Sequence, residues 1–327
     1  MKRITIFVPE SAVLGAISGP RYLFTTANQF LQVQGKPPLF EVLLTGLSRN
    51  VKVLDGIYSV AADKLLDEVK YSDLVIIPPL FGDMKDAVAK NKQAIPWIIT
   101  QYNNGSEIAS LCVGAFLLAS TGLLNGKKCS THWAYYDEFR ETFSDVEITD
   151  GTIITEENGI YSSGGANSYW NLLLYLLEKY TDRNTAILAA KYFAIDIDRE
   201  NQSAFSMFKG QKNHNDDDIK QAQDYIEVNF QDKISVDQLC RMTAISRRTF
   251  ERRFKQATNN TVIEYLQRVK VEAAKRSFES SRKNITEVMY DVGYTDTKAF
   301  RTVFKKITGL TPIEYRQKYN KIAIPLM

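Results

Sequence analysis

The sequence predicts a protein of two parts: an α/β domain with a doubly wound sheet, then an all-α domain with two helix-turn-helix modules. Three observations predict it. Short apolar runs alternate with helical stretches in the first part, a polar segment (KGQKNHNDDD, 209–218) interrupts the chain, and a repeated pattern follows that segment. At 327 residues the chain has room for two domains of usual size.

The first part alternates between strand and helix patterns. Its apolar runs, which are short enough for buried parallel strands, are Ile4–Val8, Phe40–Leu44, Leu74–Pro78 and Ile108–Leu111. The helical stretches are Ala61–Val69, Phe116–Leu124 and the very apolar Ser168–Tyr180. This order is typical of a doubly wound, flavodoxin-like sheet, and we expect the domain to span residues 1–208.

The segment 209–218 has the composition of an interdomain linker. It is polar and charged and contains almost no apolar side chain. We expect His214, which lies in it, to be a solvated residue. The all-α domain is then expected over residues 219–320.

The second part contains an internal repeat. RTFERRFKQATNNTVIEYLQ (248–267) aligns with KAFRTVFKKITGLTPIEYRQ (298–317) at an offset of 50 residues, with nine identities. Upstream, ISVDQLCRMTAIS pairs with ITEVMYDVGYT, so each unit is predicted to be a helix, a tight turn and a second helix. Ser246 and Thr295 are the expected N-caps of the second helices. Two units are too few for a solenoid, so we expect a pair of helix-turn-helix modules in one domain.

The second helix of each module should expose a basic face. Two phenylalanines four residues apart enter the core, which leaves the opposite face to solvent. The exposed positions are Arg247, Arg248, Glu251, Arg252 and Lys255 in the first helix, and Thr297, Lys298, Arg301, Thr302 and Lys305 in the second. One such face is often only a solvated surface, but two equivalent faces rich in Arg and Lys favour double-stranded DNA as the partner. Arg can bind guanine through two hydrogen bonds, and Lys can neutralise phosphate.

The charge distribution agrees with that partner. The net charge of the chain is only +3, yet residues 217–327 carry 21 Lys/Arg against 14 Asp/Glu, whereas residues 1–216 carry 20 against 24. The positive excess therefore lies in the part of the chain that carries the repeat.

Other features of the composition exclude several classes of protein. The three cysteines, Cys112, Cys129 and Cys240, are an odd and sparse set, which argues against a disulfide framework and favours a reducing cytoplasm. With two histidines the chain shows no zinc-binding spacing, and we expect neither a metal nor a cofactor. No apolar run is long enough to cross a membrane, and MKRITIFVPES is predicted to be a first strand, not a signal peptide.

The second part resembles the DNA-binding domain of the AraC family of transcription regulators. The resemblance runs from about Ile219 to Tyr319 and is most specific in ITEVMYDVGYTDTKAFRTVFKKITGLTPIEYR, with its closing G-x-T-P-x-x-Y-R. It implies that the second helix of each module enters the major groove. The implied base-reading positions are Arg248, Glu251 and Arg252 in one module and Thr297, Lys298 and Arg301 in the other.

The first part resembles the PfpI/ThiJ branch of the class I glutamine amidotransferase-like fold, which many AraC-type regulators, called GlxA-like, carry at their N-terminus. The best segment is SLCVGAFLLASTGLLNGKKCSTHW (110–133), and SSGGANSYWNLLLYLLE fits a second family segment. In the enzymes of this fold, a cysteine lies on a sharp strand-to-helix turn with a histidine nearby as base. Cys112 and His132 fall on those positions.

Three departures from the family pattern surround this pocket. Pro79 stands where a Gly-Gly would offer backbone N–H groups to an oxyanion, and proline has no N–H to donate. Ala16 occupies the position of an expected carboxylate, and Asn171 that of a frequent aspartate, although an asparagine can still orient a histidine.

The departures favour a pocket that binds and does not catalyse. A small-ligand or redox sensor pocket formed by Cys112, His132, Pro79 and Asn171 is one interpretation, and a structural thiol at a tight turn is another. The third is an active PfpI/ThiJ-type cysteine hydrolase or glyoxalase-like enzyme with an appended DNA-binding domain. We expect a non-enzymatic transcription regulator whose first domain senses a small-molecule effector or a redox state, or only dimerises and binds no ligand. We also expect a homodimer, with the apolar helix around Leu172–Leu177 as a candidate interface.

Overall fold

The computed structural model describes residues 1–197, 202–208, 210–212 and 214–320. The chain divides into two compact units, one from Met1 to Gln202 and one that begins at Ser203. The boundary lies six residues before the end of the first domain as we had drawn it at residue 208. Each unit has its own apolar cores.

The first unit is built on a seven-stranded sheet. The strands, in chain order, are β1 Lys2–Phe7, β2 Phe40–Gly46, β3 Asn50–Val53, β4 Tyr58–Ala61, β5 Lys64–Leu65, β6 Leu74–Ile77, β7 Glu107–Leu111, β8 Lys128–Cys129, β9 Glu147–Ile148, β10 Ile154–Glu157 and β11 Ile160–Ser163. The sheet order is β10-β11-β7-β6-β1-β2-β5, and all neighbours are parallel except β10 and β11. The pairs β3–β4 and β8–β9 form two small separate sheets.

Helices cover both faces of this sheet, which confirms the doubly wound α/β class. They are α1 Gly15–Val33, α2 Met84–Asn91, α3 Ile95–Asn103, α4 Ala115–Ala119, α5 Tyr136–Thr142, α6 Tyr169–Tyr180 and α7 Arg183–Phe193. Side chains alternate across each strand, so Ile4 and Ile6 of β1 join one core whereas Phe7 joins the other. Helices α1, α6 and α7 cover the first core, and α2 to α5 cover the second.

Two of the predicted helices differ from the structure. Ala61–Val69 is not a helix, because Lys64 and Leu65 pair with Thr45 and Gly46 as the edge strand β5, and only a 3-10 turn follows. Pairing with the sheet overrides the weak helix propensity of this stretch. The helix predicted over Phe116–Leu124 ends at Ala119, since the chain turns at Gly122, whose φ is +77°.

The second unit is entirely helical in its described part. Its helices are α8 Asp217–Asn229, α9 Val236–Thr243, α10 Arg247–Thr258, α11 Val262–Ser280, α12 Ile285–Asp291, α13 Thr297–Thr308 and α14 Pro312–Tyr319. We call α9 with α10 the first module and α12 with α13 the second module. The long helix α11 connects them.

The two modules repeat each other in detail. Phe250 and Phe254 of α10 are buried, as are Phe300 and Phe304 at the equivalent positions of α13. Each second helix is followed by a capping box, formed by Thr261 with Glu264 before α11 and by a Thr-Glu pair at the same offset before α14. The repeat in sequence is therefore a repeat in structure.

The starts of α10 and α13 confirm one predicted N-cap position and correct the other. Ser246 occupies the N-cap of α10, but its hydroxyl donates to Thr249 Oγ1 at 3.0 Å and makes no cap to the backbone. Asp296, not Thr295, caps α13, where its carboxylate accepts from the Ala299 N–H at 2.6 Å. An aspartate is as good an N-cap as a threonine, and it lies one residue closer to the helix.

The predicted linker is only partly a linker. Helix α8 begins at Asp217, and Asp216 caps it by accepting from the Ile219 N–H at 3.2 Å. His214 is not fully solvated, as its Nε2 lies 2.8 Å from Gln223 Oε1. Across the described ranges, no helix combines the length and apolar character needed to cross a membrane.

Candidate functional site

The second helix of the first module presents a charged face to solvent. Because Phe250 and Phe254 are buried on one side, the opposite side of α10 is exposed. All five residues predicted there are exposed: Arg247, Arg248, Glu251, Arg252 and Lys255. The structure thus brings the whole predicted set onto one surface.

The five side chains differ in whether they form ion pairs. Arg247 lies 3.3 Å from the carboxylate of Asp237 and 3.1 Å from that of Glu251. Among the residues that the structure describes, Arg248, Arg252 and Lys255 have no carboxylate within ion-pair distance. Glu251 is thus committed to a helix-surface ion pair, and the three unpaired cations stay available to an external anion.

The second module presents a matching surface. Thr297, Lys298, Arg301, Thr302 and Lys305 are all exposed along α13. Within the described part of the chain, Lys298, Arg301 and Lys305 have no ion-pair partner. Each module therefore carries at least three unpaired cations on its second helix, at positions that face away from two buried phenylalanines.

The remaining cation of α10, Arg253, has a structural role. Arg253 donates to both carboxylate oxygens of Asp216, at 2.8 and 2.6 Å, and to Asp218 at 2.8 Å. These hydrogen bonds fasten α10 to the start of α8. Arg253 belongs to the fold of the module and not to its exposed face.

In the first unit, a sharp turn lies at one edge of the mainly parallel sheet, directly after β7. Strand β7 ends at Leu111, and Cys112 follows with φ of 54°, in the left-handed region that few side chains adopt. A Cβ on Gly114 would lie 2.6 Å from the Ile77 carbonyl oxygen and 2.7 Å from that of Pro78. Only glycine permits this close approach to the end of β6, which explains the C-x-G pattern.

Cys112 is enclosed at this turn. It is 5% exposed, its N–H donates to Ser163 Oγ at 3.3 Å, and its carbonyl accepts from Thr131 Oγ1 at 3.1 Å. Burial raises the pKa of the thiol to about 12, and a hydrogen bond from the Val113 N–H only partly opposes that shift. Burial outweighs this hydrogen bond, so the sulfur is a neutral thiol at physiological pH.

His132 lies at the start of a turn beside the same edge. Its Nδ1 accepts from the Ala134 N–H at 3.1 Å, and partial burial lowers its pKa, so the ring is neutral with the proton on Nε2. No hydrogen bond among the described residues joins His132 to Cys112. The expected cysteine and histidine are both present, but they do not form an ion pair.

The three departures from the enzyme pattern lie in three different parts of the first unit. Pro79 follows β6, and its carbonyl accepts from the Val13 N–H at 3.0 Å. Ala16 is buried near the start of α1. Asn171 does something else: its Nδ2 donates to the Asp196 carbonyl at 2.6 Å, which ties α6 to the segment after α7. Its predicted place beside the histidine is therefore not seen in the described contacts.

Sequence reasoning missed two residues of this region. Tyr169, just after the glycine pair of the second family segment, donates to the Gly15 carbonyl at 3.3 Å. Burial raises the pKa of its hydroxyl, with a smaller contribution from the sulfur of Cys112 nearby. The position directly after SSGGANS was a signal that could have drawn attention to it.

The second missed residue is Gln202, which is 1% exposed. Its amide donates to the Thr131 carbonyl at 2.9 Å, to the Tyr136 hydroxyl at 2.8 Å and to the Thr152 carbonyl at 3.3 Å. Its side-chain oxygen accepts from the Trp133 N–H at 3.4 Å. Gln202 thus holds the loop that carries the candidate histidine, and nothing in the flanking sequence marks it.

The cysteines and the acidic residues that the structure describes form no cluster suited to a metal ion. Cys112, Cys129 and Cys240 are buried and free of disulfides. Across the described ranges, no group of three His, Cys, Asp or Glu side chains is placed to hold a metal ion.

Comparison with known proteins assigns a domain type to each unit. Residues 24–179 match the DJ-1/PfpI family, and residues 239–318 match a helix-turn-helix domain family. The chain is 26% identical over 216 residues to the HTH-type transcriptional regulator ArgR of Pseudomonas aeruginosa, which is 66% of this chain and 65% of that protein. It is 23% identical over 270 residues to the HTH-type transcriptional regulator GbdR of the same species, which is 82% of this chain and 72% of the relative.

The solved structures agree on the fold of the first unit. A THiJ/PfpI family protein from Pseudomonas syringae superposes with a TM-score of 0.51 at 16% identity, over 63% of this chain and 79% of that one. At this identity the match concerns the fold alone.

Proposed function

We propose that this chain, which joins a DJ-1/PfpI domain to an AraC-type helix-turn-helix domain, is a transcription regulator that binds duplex DNA through α10 and α13. One observation carries the proposal. Two structurally equivalent helices expose the same kind of face, and each face holds at least three cations that have no carboxylate partner within the described part of the chain. The named regulators among its relatives support it.

The residue types suit direct reading of bases. Arg248 and Arg252 can each reach a guanine edge with two hydrogen bonds, and Lys298 and Arg301 can do the same work from the second module, with Thr297 beside them. Lys255 and Lys305 lie one helical turn further along and suit phosphate contacts, which supply affinity without sequence information. Glu251 is held by Arg247, so we assign it the role of orienting that arginine.

The binding test uses the full-length chain and duplex selected from a random pool. Lys255→Ala should weaken binding to every duplex and lower the slope of log affinity against log salt by about 1, because one phosphate contact is lost. Lys85→Ala, which removes an exposed lysine of α2 in the first unit, is the matched control and should change neither quantity. Equal salt slopes for the Lys255 variant and the parent chain would count against this interface.

For the first unit we propose a sensor and not an enzyme. A neutral buried thiol, a histidine engaged with its own turn and a proline where an oxyanion donor is needed all favour binding without turnover. A small ligand in contact with Cys112, His132 and Pro79 is the proposed effector. The competing interpretation, a cysteine hydrolase or glyoxalase-like enzyme with a DNA-binding domain, requires turnover that depends on Cys112 and His132.

Homodimer formation and a cytoplasmic location stay predictions. The structure removes one reason for the dimer, because the leucines of α6 from Leu172 to Leu177 are buried in the core of their own unit. Sedimentation of the full-length chain tests the dimer.

A further inference from the structure

The segment that leads into the second unit is not a free linker. Residues 203–208 and 210–212, which we call the strap, lie along the helices of the second unit. The Ala204 carbonyl accepts from the Tyr319 hydroxyl at 3.2 Å, at the end of α14. The Phe208 ring meets that of Tyr265 at 5.1 Å between centroids, at the start of α11. The strap therefore touches the apolar core that supports each module.

A buried ion pair holds the middle of the strap. Lys275 and Glu272 of α11 lie 2.8 Å apart, with side chains only 5% and 10% exposed. Lys275 also donates to the Ser206 carbonyl, and Glu272 accepts from the Phe208 N–H at 3.2 Å. Without the strap, two charges in the interior would lose part of their hydrogen bonding, which is costly. The pair is suited to hold the strap in one position.

The far end of the strap is fixed on α8 and on the turn after α10. The Gln211 carbonyl accepts from Gln223 at 2.9 Å, and its side-chain oxygen accepts from Asn260 at 3.2 Å. Lys212 lies 2.6 Å from Asp224 and 2.7 Å from Glu227. The polar residues that suggested a solvated linker are instead partners of α8 and of the turn after α10.

The residue just before the strap is fixed in the first unit. Gln202 is the last residue of that unit, and its side chain holds the loop on both sides of His132. Its backbone N–H also donates to the Gly151 carbonyl at 2.7 Å. A Cβ on Gly164 would lie 1.9 Å from Gln202 Nε2, so the glycine leaves space for this amide.

We infer that Gln202 and the strap couple the loop of His132 to the DNA-binding unit. Gln202 and Ser203 are consecutive, so only about 3.8 Å of chain separates a residue held by that loop from a segment held by α8, α11 and α14 of the second unit. No spare residues lie between Gln202 and the strap. A change that moves the loop must therefore displace the strap or break the hydrogen bonds of Gln202. The inference rests on the proposed DNA binding, and it makes the coupling reciprocal: DNA must act on the loop as the loop acts on DNA.

The experiment uses DNA as the probe, since it requires no knowledge of the effector. Amide hydrogen exchange of the peptide 130–136 is measured in the full-length chain with and without saturating selected duplex, and duplex affinity is measured on the same samples. The exchange rate should change about fivefold or more, the lower end of common coupling factors. Insertion of Gly-Ser-Gly-Ser between Gln202 and Ser203 should abolish that change while the duplex still binds.

Two further variants keep the outcome interpretable. The same insertion between Gly56 and Ile57, in the exposed turn after β3, should leave the response as in the parent chain. Gln202→Met keeps the size of the side chain but removes its hydrogen bonds, and it should reduce the response as the first insertion does. Thermal unfolding confirms that each variant is folded.

Each outcome decides between the two proposals. A loop response that survives the insertion after Gln202, or an unchanged loop in a chain that binds duplex, overturns the coupling and leaves DNA binding intact. Failure of the parent chain to bind any duplex overturns the proposed function and the coupling with it.

Discussion

Arg252 and Arg253 are neighbours in the sequence, yet their surroundings are opposite. Arg252 is exposed and without a carboxylate partner among the described residues, whereas Arg253 is bound by Asp216 and Asp218. The helical period places them about 100° apart, which puts one on the free face and the other against α8. At the scale of the residue, the proposed DNA binding depends on this partition of cations.

This pair supplies a matched prediction. Arg252→Ala should cost about 1–3 kcal/mol of binding free energy and relax base preference at one end of the site, with thermal stability unchanged. Arg253→Ala should lower the melting temperature, because it frees two carboxylates near the start of α8, and should leave base preference unchanged. Selection from a random duplex pool and calorimetry of the two variants measure both effects. A loss of base preference in the Arg253 variant alone would contradict the assignment.

Cys112 gives a second prediction at this scale. Its pKa is raised from 9.0 to about 12, so the thiol stays protonated at neutral pH. The rate of its alkylation, followed by peptide mass spectrometry, should therefore still be rising at about pH 10. Amide, peptide and α-oxoaldehyde substrates should show no turnover above a Cys112→Ala control. A reactivity plateau near neutral pH, or turnover that requires both Cys112 and His132, would support the enzyme.

At the scale of the element, the sequence predicts some strands and misses others. Strands with short, mostly apolar runs, such as Leu74–Ile77 and Glu107–Leu111, could be predicted because buried parallel strands have that composition. The strands at Tyr58–Ala61 and Lys64–Leu65 were not, since they are short and half exposed and are defined by their partners. The strap was missed for a related reason: its polar side chains bind other polar groups, and composition alone cannot reveal such pairings.

The sharp turn after β7 depends on Gly114, and this dependence can be tested by adding one methyl group. Gly114→Ala places a Cβ within 2.6 Å of a backbone oxygen of β6, so the free energy of unfolding should fall by about 1–3 kcal/mol. Gly15→Ala, at the start of α1, meets no atom within 4 Å and should be neutral or slightly stabilising. Denaturant unfolding of the two variants measures the difference. Equal stabilities would mean that the approach of the turn to β6 is looser than the structure shows.

At the scale of the whole molecule, the two modules are proposed to bind one DNA site together. The repeat at an offset of 50 residues predicted two equivalent helices. The structure confirms that both helices bury two phenylalanines at equivalent positions and expose cations on the opposite face. The charge of the chain follows the same division, with its positive excess in the part that carries the modules. The sequence of the target could not be predicted, because Arg, Lys and Thr each accept several bases and the choice depends on their approach to the groove.

The account's central claim is that the two modules read separate segments of one DNA site. Helices that enter successive major grooves on one face of the duplex contact bases roughly 34 Å, or one helical turn, apart. Footprinting and selection with Arg252→Ala and Arg301→Ala in the full-length chain test this directly. The account predicts that each variant loses preference at a different set of base pairs, about one turn apart. Loss of preference at the same base pairs in both variants would contradict it.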